Sequence, residues 1–197
     1  PVKAEILGML GSRADGAAFP AVAAALKDND AVVRQAAIAA AVLVDAQRAV
    51  APLLDLLSTS QDENEVKAVR TALTHVGGDR AVRAIAAALP KTAPPARKAL
   101  LDTLAAHRAT QCMEEVFAQT KDGDEGVRTA AIKALARVTP FEALPRLVSL
   151  LVEVPTDGER TAAVASVVEG AKQNADIDKR VAPILMGLKT DKADAKA

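Results

Sequence analysis

Aromatic side chains are nearly missing from this sequence: it has three Phe, no Tyr and no Trp in 197 residues. That removes the stacking platforms on which single-strand nucleic-acid binders hold unpaired bases. A surplus of one charge sign is missing too. Lys and Arg number 25, Asp and Glu number 25, and formal net charge is zero. A general nucleic-acid binder needs excess cations to displace counterions, so no nucleic-acid partner is expected. A single cysteine excludes an internal disulfide framework and a cysteine-based metal cluster. The longest unbroken apolar run, Ala36 to Val44, is too short to span a bilayer, so no membrane insertion is expected. No charged-then-apolar leader opens the chain. A cytoplasmic location fits, and so does a periplasmic or secreted one after leader removal.

What is abundant is small and aliphatic. Half of the residues are hydrophobic, and alanine alone supplies 45. Such side chains suit close contact between helices. A pattern recurs along the chain: a polar turn, a cation, then Ala and aliphatics at helical spacing. The clearest copy is Asp124-Glu125-Gly126-Val127-Arg128, followed by Ala131, Ala134, Leu135 and Val138. With Arg128 as the zero position, equivalents fall at Lys3, Arg34, Val66, Arg97 and Arg160, spaced by 31 or 32 residues. Three residues on stand Ile6, Ala37, Val69, Leu100, Ala131 and Ala163. Six on stand Met9, Ala40, Ala72, Thr103, Ala134 and Ser166. Seven on stand Leu10, Ala41, Leu73, Leu104, Leu135 and Val167. These offsets share one face of a helix. Repeat two carries Val66 in place of the cation; a one-residue shift would supply Lys67 but put Thr74 in the aliphatic column, so the first register holds.

A second set of apolar-periodic segments lies between these helices: 17–27, 48–57, 80–89, 111–120, 142–151 and 178–188. Four carry a proline near the start, Pro20, Pro52, Pro145 and Pro183, which a first turn tolerates and which bends a helix if it lies deeper. Asp30, Asp62 and Asp124 occupy one column, four before the cation, placed to accept from the first free N–H groups of their helices. No segment alternates with period two. The expectation is an all-α chain of about six helix pairs and no sheet, an alpha-alpha superhelix over 1–190. Residues 191–197, built of Asp, Lys and Ala, read as a polar tail or linker.

A helix pair with Asp, then Val-Arg, then Ala-x-x-Ala-Leu resembles the HEAT-repeat family, and more closely its short bacterial, phycobilisome-lyase type. The likeness rests on Asp30, Val33, Arg34, Ala37 and Ala40, and on Asp124, Val127, Arg128, Ala131, Ala134 and Leu135. Val2, Lys3, Ile6, Met9, Leu10 and Gly11 match without the turn. Departures are Val66 for the cation, Ala93 and Thr156 for the column Asp, and Pro94-Pro95 in the third turn. The resemblance implies a right-handed solenoid. It also implies that the column Asp and Arg bridge adjacent repeats, so Arg34, Arg97, Arg128 and Arg160 read as structural. An Arg fork can satisfy a carboxylate and helix-end carbonyls together. The chain opens already inside the second helix of a repeat, so it reads as an array cut from a longer protein.

The residues for chemistry do not converge. His75 and His107 sit on different repeats, and no His-x-x-x-His or Cys-x-x-Cys spacing occurs. His107 falls in a column otherwise holding Val44, Val76 and Val138, which fits a half-buried helix-end histidine. Cys112 reads as a small hydrophobe. Gly77-Gly78 stands alone and reads as a helix terminator. No catalytic residue, metal ligand or cofactor site is assigned, and an enzyme is not expected.

A repeated helix face outside the core is the best candidate surface. By resemblance the cation-bearing helix of each pair lines the concave side. Its outward columns, one, five and nine past the cation, give Lys67, Lys98, Asp102, Lys133, His75 and Arg137 in the middle repeats. Arg70 stands in an otherwise aliphatic column; it either turns outward to join this patch or marks the imperfect repeat two. Two readings stand for the patch. One is a weakly basic groove for an acidic peptide or protein; the other is a solvated face that balances acids elsewhere. The function expected is a protein-interaction scaffold, a monomer or a module of a larger bacterial protein. Alternatives are an accessory segment that positions a catalytic neighbour in an exported multidomain enzyme, and a bilin-lyase-like cofactor chaperone.

Overall fold

The computed structural model describes residues 2–194, and among them there are eleven α-helices, short 3-10 turns and no strand. In chain order the helices are α1 (Val2–Arg13), α2 (Phe19–Ala25), α3 (Ala31–Thr59), α4 (Glu63–Thr74), α5 (Asp79–Ala88), α6 (Pro94–Ala106), α7 (Met113–Ala118), α8 (Glu125–Val138), α9 (Leu144–Glu153), α10 (Asp157–Ala171) and α11 (Ile177–Asp194). The cation-bearing helices are α1, the first limb of α3, α4, α6, α8 and α10, and the others alternate with them. The expected polar tail at 191–197 has its last three residues outside the described ones, and α11 extends to Asp194.

Helix starts follow the capping logic of the sequence. Asp30 accepts from the Val32 N–H at 2.9 Å, Asp62 from Asn64 at 2.7 Å, and Asp124 from Val127 at 2.8 Å. Each satisfies a first-turn donor that has no partner within the helix. Thr156, which stands in place of the column Asp, keeps the function by a capping box with Glu159. Helix α3 joins two expected helices, with a break at Asp45 (φ −158°, ψ 95°), whose carboxylate caps the second limb through the Arg48 N–H at 3.0 Å. That limb and α11 begin earlier than the prolines suggest. Pro52 and Pro183 therefore lie inside their helices, while Pro20 and Pro145 sit in first turns.

With an 18-residue window of mean hydropathy 1.6, α3 is long and apolar enough to cross a membrane by length and composition alone. Its backbone breaks at Asp45, Arg34, Asp45, Arg48 and Asp55 interrupt it, and 44% of the apolar window is already buried inside the protein. Those are the features of a packed helix pair, in which each limb turns one face to its neighbours.

The chain divides into two compact units, one up to Thr103 and one from Leu104 on. In the first, α3 packs on α1, α2, α4 and α5. Ala37, Ile38, Ala41, Leu53, Val69, Leu73 and Leu100 fill its core. In the second, α10 packs on α8 and α9, and α11 lies on α9. Its core holds Ala131, Ile132, Leu135, Leu147, Val148 and Ala163. Repeat two keeps the expected register: Val69 and Leu73 are buried and Lys67 is exposed.

Two corrections concern the columns. Ile6 and Met9 share core columns with buried residues of later repeats, yet they are 50% and 64% exposed. Column membership fixes the helix face, while burial also needs a neighbour packed close against it: Ile6 borders an open groove beside Ala21, Ala24 and Ala25 of α2. The second correction concerns the bridge implied by the resemblance. The column Asp caps its own helix, and the Arg reaches instead to a Glu one residue before the next cation position. Arg34 Nε donates to Glu65 and Arg128 Nε to Glu159, each at 2.6 Å. The same guanidinium donates through Nη1 to the carbonyls of Asp28 and Asn29, or of Asp122 and Gly123. Each fork therefore ties a turn to the next helix with a carboxylate that is almost fully buried. The equivalent Arg97 donates to the Thr92 carbonyl at 2.6 Å.

Candidate partner-binding face

The outward columns of the cation-bearing helices are where the sequence places them, at the surface. Lys67, His75, Asp102, Lys133 and Arg137 are exposed, while Arg70 and Lys98 are half-buried. Helical geometry explains the set apart from Arg70: one, five and nine past the cation position trace a stripe opposite the buried offsets.

In the first unit, four of the candidates meet. Lys67 and Arg70 on α4 and Lys98 and Asp102 on α6 line one groove of about 310 Å³, floored by Val66, Ala96 and Ala99. Arg70, half-buried, thus lines the same groove as Lys67, Lys98 and Asp102. None of Lys67, Arg70 and Lys98 forms an ion pair among the described residues. Among the described residues that line the groove, Asp102 and Glu63 are the carboxylates that offset their charge.

Lys67 also borders a second groove of about 630 Å³ between the first limb of α3 and α4, with His75 at its far end. The His75 Nδ1–H donates to the Thr71 carbonyl at 2.8 Å, since a carbonyl can only accept. Helical periodicity alone does not reveal this groove. Its one visible signal was Leu43 in an outward column that elsewhere holds Ser12, His75, Ala106, Arg137 and Glu169.

In the second unit, Lys133 and Arg137 lie one turn apart on α8. Arg137 is not a bare cation: its charge, with that of Arg108, acts on Glu169, whose carboxyl is held below its ordinary range chiefly by the hydrogen bond from Lys172. A separate groove in this unit holds Glu114, Phe117 and Arg146. There Arg146 makes a two-pronged pair with Glu114 and lies 4.2 Å from the Phe117 ring centre. In the first unit Arg48 covers Phe19 the same way at 4.4 Å. Two of the three Phe are thus engaged by cations in structural contacts. Cys112 is fully buried, and His107 is half-buried as its column suggested. Among the described residues, His, Cys, Asp and Glu form no group able to hold a metal ion.

Repeating helix pairs, column caps and an Arg fork between neighbours define an all-α helical-repeat protein. The profile of HEAT repeats matches residues 1–74 and 81–168, and the chain belongs to the HEAT-repeat family. The match is to HEAT repeats in general and does not single out the phycobilisome-lyase type. No curated protein matches the sequence. Two crystal structures of engineered proteins, both Northeast Structural Genomics Consortium targets, are similar at 21% identity. One aligns over 85% of this chain and 90% of its own with a TM-score of 0.46. The other aligns over 87% of this chain at a TM-score of 0.47, and this chain spans 58% of its length. HEAT repeats generally mediate protein interactions, and the chain is a scaffold-type repeat module.

Proposed function

We propose that this chain is a non-enzymatic scaffold that captures an acidic segment of a protein partner on the outward columns of its cation-bearing helices. The supporting observation is the α4–α6 groove, where Lys67, Arg70 and Lys98 converge without an ion-pair partner among the described residues. A solvated face that merely balances acids would scatter its cations beside carboxylates, as Lys3 with Asp28 and Lys172 with Glu169 do. Unpaired cations around a concavity focus potential and speed the encounter with an anion.

The test is charge reversal. Titrating labelled Asp/Glu-rich peptides into the native chain and into Lys67→Glu/Lys98→Glu should show affinity reduced at least about tenfold and a flatter salt dependence in the variant. Lys133→Glu examines the α8 cations separately. Unchanged affinity and salt slope in the Lys67→Glu/Lys98→Glu variant reject the groove as the contact surface.

A further inference from the structure

We infer that the α3–α4 groove is an anchor slot for a bulky aliphatic side chain, so that the acidic partner segment carries a Leu-like residue beside its carboxylates. This rests on the acidic-partner reading and deepens it.

The floor of the slot is apolar. Ile38, Ala39, Val42 and Leu43 come from α3, and Ala68 and Ala72 from α4. Alanine at three of these six positions is what leaves the space: a longer side chain at any of them would fill the gap between the helices. Leu43 is 60% exposed at a position where the other repeats carry polar or small residues. One side of it rests near Gly11 of α1, since a Cβ built there would come within 3.3 Å of its Cδ1. The other side borders the slot. Exposing a leucine forgoes the gain from burying it, and docking a complementary apolar side chain recovers that gain.

The rim supplies the choice of partner. Among the described residues that line this slot, Lys67 is the one formal charge and none is a carboxylate. Gln35, Asn64 and Thr71 offer neutral hydrogen-bonding groups. Lys67 borders both this slot and the α4–α6 groove. A carboxylate held at Lys67 therefore sets the neighbouring residue of its own chain over the apolar floor. An apolar anchor in a pocket with charge at its edge is the usual division between affinity and register. The volume of about 630 Å³ accommodates one large side chain with its flanking backbone.

The experiment measures binding of short labelled peptides to the full chain by fluorescence anisotropy. The probes are an Asp/Ser peptide with one central Leu, its Ala counterpart, and the Leu peptide with Asp replaced by Ser. The expected order places the acidic Leu peptide first, with the acidic Ala peptide about tenfold weaker. Two variants act on the slot alone. Leu43→Ser removes the apolar wall and Ala39→Leu fills the space; both residues are exposed, and a circular dichroism melt of each variant checks that the fold is kept. Each should erase the Leu-over-Ala preference while leaving the preference for acid. Equal binding of the acidic Leu and Ala peptides, or a Leu preference untouched by both slot variants, overturns the anchor slot and leaves the basic groove standing. Loss of any preference for the acidic peptides overturns both.

Discussion

Replacing Arg128 with Leu strands a carboxylate that has no access to water. Glu159 is 0% exposed, and Arg128 Nε lies 2.6 Å from its Oε1. The same substitution removes two donors from the carbonyls of Asp122 and Gly123, at 2.9 and 3.2 Å. Removing one partner of a buried ion pair costs about 3–5 kcal/mol, because the other charge stays buried without compensation. The second carboxylate oxygen still accepts from the N–H and hydroxyl of Thr156, so the lower end, about 3 kcal/mol, is expected. Urea unfolding gives the magnitude, and hydrogen exchange along α8 and α10 gives the place, since repeat stability is largely a sum of neighbour terms. The double variant Arg128→Leu/Glu159→Leu should recover part of the loss, because no charge is left stranded. A loss below about 1 kcal/mol in Arg128→Leu, the range of exposed pairs, would refute the reasoning that the Arg–Glu fork is a buried tie between repeats.

The remaining predictions cover the core, a close approach and a surface pair. Leu135→Ala, at a fully buried position of α8, should cost about 2–5 kcal/mol in the same unfolding assay; a negligible change would mean the wrong face was assigned. Gly187→Ala should destabilise the packing of α11 on α9 by about 1–3 kcal/mol, read as faster exchange in α11. A Cβ there would lie 2.6 Å from Val148 Cβ and 2.7 Å from the Pro145 carbonyl oxygen, and backbone does not yield cheaply. The hydrogen bond from Arg146 holds the Glu114 carboxyl below its ordinary 4.5. A lowered folded-state value stabilises above the unfolded value and loses that stabilisation as pH falls through the folded one. The small deficit of Glu114→Gln at neutral pH should therefore disappear in acid, and a deficit that persists there contradicts the pairing.

Much of this architecture was legible because the repeat makes each position testable six times. The buried offsets after Arg34 and Arg128, the caps at Asp30, Asp62 and Asp124, and the outward stripe through Lys67 and Lys133 all follow from helical period and cap chemistry. What escaped depends on contacts between elements. Ile6 and Met9 have the correct face, but burial also needs a neighbour on that side. The resemblance points the Arg fork to the column Asp, which is spent on capping its own helix. A Glu spaced 31 residues from Arg34 and from Arg128 was the available signal. The α3–α4 slot is created by small side chains on two helices facing each other, a coincidence no single helix reports.

The α4–α6 groove and its α3 neighbour together make up the proposed binding face. Backbone chemical-shift mapping of the labelled full chain with the acidic Leu peptide tests it most directly. Perturbations should concentrate at Leu43, Lys67, Arg70 and Lys98, with the Phe117–Arg146 groove silent. Shifts centred on that second groove instead, or spread evenly over exposed lysines, would contradict it.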